Sequence, residues 1–139
     1  MAKPKWKEEK SGDISQLMFG KVMPQALDLE EAVLGAAMLD KGAFSIIVEK
    51  LRAESFYLPA HQEIFKVMTQ LFANTKPIDI LTVHEELRRI EKLEEVGGVN
   101  YLMELTNKVA SAANIEYHAQ IILQKYIQRE LIQVSTKTI

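Results

Sequence analysis

The stretch from Ser111 to Ile139, SAANIEYHAQIILQKYIQRELIQVSTKTI, constrains the fold of this chain more than any other. Ala112, Ile115, Ala119, Ile122, Leu123, Tyr126, Ile127, Leu131 and Val134 recur at three- and four-residue steps, which predicts a long helix with one continuous apolar stripe. Ile121 and Ile132 fall off that stripe. A helix apolar on more than one side is either buried all round or needs a second surface. The chain stops at Ile139 without a glycine or proline stop signal, so the expectation is a helix cut in mid-element. Its surplus apolar surface is then expected to meet an adjoining helix or a partner protein.

Composition narrows the class. At 139 residues the chain has the length of one domain, long enough to bury about two-thirds of the surface its unfolded form exposes. The absence of cysteine excludes disulfides and thiolate metal sites and points to a reducing, cytoplasmic setting. A net charge of -2 and a pI near 5.9 argue against a dedicated binder of phosphate backbones. No run reaches membrane-spanning length, and ISQLMF is too short for a secretory apolar segment, so no membrane partner is expected.

Helical periodicity continues through the rest of the chain. Residues 1–23 open with four lysines and two glutamates in MAKPKWKEEKSG and read as a flexible basic tail. Asp28 with Glu31 marks the start of a first helix to about Leu39, in which Leu29, Val33, Ala36 and Ala37 share a face. Gly35 costs that helix about 1 kcal/mol relative to alanine, so a close approach by another backbone or a large side chain is expected there. A second helix carries Phe44, Ile47, Val48 and Leu51. A third begins at Pro59 with His61, Ile64, Phe65, Met68, Leu71 and Phe72. Asp79 caps a fourth, with Val83, Leu87 and Ile90, and Gly97-Gly98 precedes a short helix holding Tyr101, Leu102 and Leu105. Ser111 or Asn114 then caps the terminal helix. No segment alternates with period two, so the fold class is all-α.

Tests for chemistry fail on spacing. Gly20-Lys21 would end a phosphate loop only with glycine at position 15 and Ser or Thr at 22, where the chain has Ser15 and Val22. His84-Glu85-Glu86 begins like a zinc-protease helix, but Arg88 stands where the second histidine belongs. His61 and His118 lie beside apolar stripes and read as hydrogen-bonded boundary residues. The pairs Glu30/Glu31, Glu85/Glu86 and Glu94/Glu95 fall at positions expected to be solvated. No catalytic, cofactor or metal site is expected in these residues.

The ordered run PQALDLEEAVLGAAMLD, FYLPAHQEIF, KPIDILTVHEEL, LEEVGGVNYLMEL, SAANIEYHAQII and QRELI resembles the N-terminal domain of the DnaB-type bacterial replicative DNA helicases. It covers Pro24 to Ile139. The resemblance implies a small multi-helix globular body over residues 24–108, followed by residues 109–139 as the first helix of a protruding helical hairpin. The hairpin's second helix would follow Ile139. It further implies that such domains dimerise through their hairpins, three dimers forming the collar of a hexamer. The ATP- and Mg-dependent, DNA-translocating motor would lie in a C-terminal domain absent here. The collar would dock the C-terminal domain of a DnaG-type primase, with a helicase loader as a further partner. Carried over by position, the candidates for primase or subunit contact are Asp28, Tyr101 and Ile132, with Arg129 as a polar surface neighbour of Ile132; Ile121 joins them as the other isoleucine off the stripe. The rival reading is a nucleic-acid-binding module using Arg88, Arg89 and the lysine tail.

Overall fold

The computed structural model of the chain describes residues 23–109 and 114–138, with side chains through Ser135. The basic tail, the Ser111 cap, Ala112 and Ile139 lie outside the described residues.

Seven α-helices are present among the described residues, and no strand. They are α1 (Leu27–Leu39), α2 (Ala43–Lys50), α3 (Pro59–Ala73), α4 (Ile80–Arg89), α5 (Leu93–Val96), α6 (Gly98–Asn107) and α7 (Ile115–Thr138), with a 3₁₀ turn at Ala53–Ser55. The all-α expectation holds. Each break has a local cause: Asp40 accepts from the Gly42 amide at 2.9 Å to shape the α1–α2 turn, and Pro59 occupies the first turn of α3. The Asp79 carboxylate accepts from the Thr82 amide at 2.8 Å, while the Thr82 hydroxyl accepts from the Asp79 amide at 3.0 Å. That reciprocal cap confirms the start read for α4.

Helix α1 is the centre of the bundle, and α2, α3, α6 and α7 all pack against it. From Val33 through Met38 every residue is buried, so α1 has an apolar circumference where one apolar face was expected. Its start differs too. The helix begins at Leu27, with the Leu29 and Glu30 amides both donating to the Ala26 carbonyl. Asp28 therefore sits exposed inside the first turn rather than at the N-cap, which is Ala26, and there its charge complements the positive end of the helix dipole. Glu31, the other half of the expected start signal, turns into the interior.

Gly35 is where α1 and α6 cross. A Cβ at that position would run into the Leu105 carbonyl oxygen and stand 2.7 Å from Val109 Cγ2, so hydrogen is the only side chain the crossing admits. The remaining core is an aromatic series. Phe72, Phe44, Phe65 and Phe56 follow one another at centroid separations of 5.2, 5.3 and 4.9 Å. Phe56 then meets the His61 ring edge-on at 6.4 Å. Phe72, placed on the buried stripe of α3 by its periodicity, ends this series at the surface, where it is 45 % exposed.

Helices α3 and α4 both end in Schellman caps that lack glycine. Thr75 (φ 56°) and Glu91 (φ 60°) take the left-handed position, and the amides of Lys76 and Lys92 reach back to the Leu71 and Leu87 carbonyls at 2.9 Å.

Two stability outcomes follow from this backbone. Gly35→Ala should lower stability by about 3 kcal/mol, the upper part of the range for overpacking against an unyielding neighbour. Glu91→Gly should raise it by about 0.5–1 kcal/mol, because glycine holds the left-handed conformation without a Cβ penalty. Urea unfolding followed by circular dichroism measures both, and a neutral Gly35→Ala would contradict the close crossing.

Candidate docking surface and the buried network beneath it

Helix α7 carries the candidate surface. Its first half belongs to the core: Ile115, Ala119 and Ile122 are buried and Leu123 partly so, packed on α1, α2 and the 3₁₀ turn. Ile115, Ala119, Ile122, Tyr126 and Arg129 alternate steps of four and three and form the face turned to the body. Ile127, Leu131 and Val134 recur on another face and are 47–62 % exposed. The single apolar stripe read from the sequence is therefore two faces. Ile121 is half-buried and Ile132, further round the helix, is 43 % exposed. Beyond Arg129 every residue of α7 whose side chain is described is exposed.

Arg129 pins α7 at that border. Its guanidinium donates to the Pro24 carbonyl at 2.8 Å and to the Ser55 carbonyl at 2.9 Å, and lies over the Tyr57 ring at 5.3 Å and the Tyr126 ring at 5.8 Å. Burial pushes its pKa down, and the nearby Glu30 is the first of the groups that oppose the shift. An arginine stays charged through such a shift. Arg129, read as a polar surface neighbour of Ile132, is only 7 % exposed. Its work is to fix the angle at which α7 leaves the body.

Tyr101, the second candidate placed at the surface by resemblance, is likewise interior, at 3 % exposure. Its hydroxyl donates to Glu31 Oε2 at 2.9 Å, and His61 Nε2 lies 2.7 Å from the same oxygen, with the two rings stacked nearly parallel. His61 Nδ1 is 2.7 Å from Glu30 Oε1, while Glu30 Oε2 accepts from the Tyr57 amide at 2.9 Å. At the other end Lys108 Nζ stands 3.2 Å from Glu31 Oε1.

Both glutamates, expected to be solvated, are thus buried, and the network supplies the partners without which a desolvated carboxylate costs several kcal/mol. The missed signal was positional. Glu30 stands three, four and seven residues before Val33, Leu34 and Ala37, so it shares their buried face. His61, read as a boundary residue, is hydrogen-bonded as expected but fully buried.

Arg88 and Arg89 of the nucleic-acid reading sit elsewhere and are paired, while its lysine tail lies outside the described residues. Arg88 donates to Glu85 at 2.9 Å, Arg89 is bonded to Glu86, and Lys92 lies 3.1 Å from Glu95. Hydrogen bonds from Arg88 and Arg89 hold Glu85 and Glu86 below the usual carboxylate range, so this exposed face carries balanced charge. No described helix is long and apolar enough to cross a membrane.

Burial, and then the Glu31 charge, push the Tyr101 hydroxyl far above its ordinary value of 10.0. Below that value the folded and unfolded chains both keep the proton and the contribution of Tyr101 is complete. Above it the unfolded chain loses the proton while the folded chain keeps it, so stability falls by about 1.4 kcal/mol per pH unit. Tyr101→Phe should therefore lower stability at pH 7 by about 1–3 kcal/mol and flatten the alkaline decline. Urea midpoints from pH 8 to 11 decide the point, an equal decline in both proteins being the contrary result.

Comparison with known proteins places these features. A family described as the DnaB-like helicase N terminal domain matches residues 22–124. Replicative DNA helicase DnaB of Rhodothermus marinus is 50 % identical over 117 residues, which are 84 % of this chain and 12 % of that protein. The crystal structure of the N-terminal domain of DnaB helicase from Mycobacterium tuberculosis is similar at a TM-score of 0.81 and 38 % identity, covering 84 % of each chain. A DnaB-like replicative helicase, its structure described together with its interactions with primase, gives a TM-score of 0.70 at 28 % identity over 81 % of this chain and 26 % of that one. The chain spans between 12 % and 28 % of the length of five curated relatives it matches.

Proposed function

The chain belongs to the DnaB-like helicase N-terminal domain family, and from that premise we propose that it is the assembly and docking module of a cytoplasmic replicative DNA helicase. The observation that carries the reading is the outer half of α7. Ile127, Leu131, Ile132 and Val134 are large apolar side chains 43–62 % exposed on a helix whose inner half is anchored in the core. Burying such groups against another protein is worth about 25 cal/mol per Å² of apolar surface removed from water.

On this reading the exposed faces of α7 pair subunits through helical hairpins, three such dimers form the collar of a hexamer, and the collar recruits the C-terminal domain of a DnaG-type primase. A helicase loader is a further partner. ATP, Mg²⁺ and DNA translocation belong to a separate C-terminal motor domain. The relative described with its interactions with primase supports the docking role. The anchoring of α7 by Arg129 supports it physically, because a partner that meets a held helix loses less ordering entropy than one that meets a loose one.

Calorimetric titration of the chain with the helicase-binding domain of a DnaG-type primase tests this. Binding is expected, and Ile132→Asp should weaken it at least about tenfold, some 1.4 kcal/mol, with helicity and melting unchanged. Binding indifferent to Ile132→Asp would move the contact off α7, and no binding would remove primase docking from the chain's role. Affinity that falls steeply with salt, and appears equally with oligonucleotides, would favour the nucleic-acid reading.

A further inference from the structure

At the opposite end of α1 from its first turn, a groove of about 490 Å³ opens between the ends of α1 and α3 and the approach to α4. Its size falls in the range of built ligand sites, about 300–1,000 Å³. We propose that this groove docks an acidic, apolar-anchored peptide segment of a partner protein. The inference is independent of the α7 reading, since no residue of α7 lines the groove.

Two observations carry it. The first is apolar surface with a rigid backing. Leu39 is 59 % and Phe72 45 % exposed where they line the groove, and Phe72 is held from behind by Phe44 at 5.2 Å. One or two large apolar side chains of a peptide would cover them together with Pro77.

The second is charge. Lys41 and Lys76 line the groove. Elsewhere Lys50, Lys66, Arg88, Arg89, Lys92 and Lys108 each face a carboxylate within 4.0 Å. Among the described residues Lys41 and Lys76 have no such partner, a property they share with Arg52, Lys125 and Arg129, none of which lines the groove; Glu86 feels Lys76 only as the weakest of its influences. Asp79 also lines the groove and keeps its charge, its carboxylate accepting from the Thr82 amide, so the lining carries two ammonium groups to one carboxylate. Two ammonium groups beside an apolar floor fit a segment in which carboxylates flank aromatic or branched aliphatic residues. A bare polyanion would leave the floor wet, and a neutral apolar segment would leave the ammonium groups without counter-charge.

The test uses the full chain and fluorescence anisotropy with three labelled pools of eight-residue peptides. One pool mixes Asp and Glu with Phe, Leu and Ile, a second replaces the acids by Asn and Gln, and a third is all-acidic. The first pool is expected to bind, and the other two to bind at least tenfold more weakly. The double variant Lys41→Glu/Lys76→Glu and, separately, Leu39→Ser should each cost the first pool at least tenfold, with melting temperatures unchanged. Both sites are exposed, and if Leu39→Ser melts early, the charge-reversal pair still decides. Ile132→Asp should leave peptide binding intact, which keeps failure here distinct from failure at α7. Equal binding of the acidic-apolar and amide pools, no binding by any pool, or indifference to the charge reversal would overturn the proposal. Preferential capture of a labelled oligothymidylate by the same lysines would replace the peptide with nucleic acid.

Discussion

Two carboxylates withdrawn from water at the start of α1 set the terms for the rest of the domain. Glu30 and Glu31 are adjacent, so they point in different directions around the helix, and each has been met by a different element. Glu30 takes the Tyr57 amide from the link after the 3₁₀ turn and His61 from α3, and Glu31 takes Tyr101 and Lys108 from α6 and its end. The hydrogen bond between His61 and Tyr101 closes the two halves into one path through the interior. Because an unpaired buried carboxylate is so costly, α1, α3 and α6 can pack only in the arrangement that completes this path. The apolar core alone would tolerate small rotations of these helices; the polar path does not.

The same network reaches the edge of the functional region. Arg129 lies close enough to Glu30 to feel its charge, and binds the carbonyls of Pro24 and Ser55 on the two segments that flank α1 and α3. The inner half of α7 is thereby a core helix, and its outer half carries the exposed apolar residues. A projecting helix with two apolar faces is a suitable joint for a ring assembly, because one face can serve a sister subunit while another remains for a visitor. On the proposed reading the domain's contribution is geometric: it presents surface to its partners.

Between the polar path and the far groove runs the aromatic series from His61 through Phe56, Phe65 and Phe44 to Phe72. These rings fill the space that α1, α2 and α3 leave between them, and their edge-inclined contacts give the core shape as well as volume. The price of ending the series at the surface is an exposed phenylalanine.

Much of the architecture was legible in the order of residues. Helical periodicity, Pro59, the Asp79 cap and the Gly97-Gly98 break placed the elements, and Gly35 announced a close crossing that α6 supplies. The family was legible too, because it rests on motifs in order rather than on contacts. What periodicity could not separate was which apolar and which charged residues face inward. The surplus stripe of α7 looked single, because a helix read alone gives angles but no neighbour, and only the position of Arg129 against Pro24 and Ser55 showed where the core stops. Tyr101 and Arg129 looked like surface candidates and proved interior, and Glu30 and Glu31 looked solvated for the same reason. A polar side chain is buried when partners from distant segments converge on it, and that convergence, 31 residues from Glu30 to His61 and 70 from Glu31 to Tyr101, exists only in the folded chain.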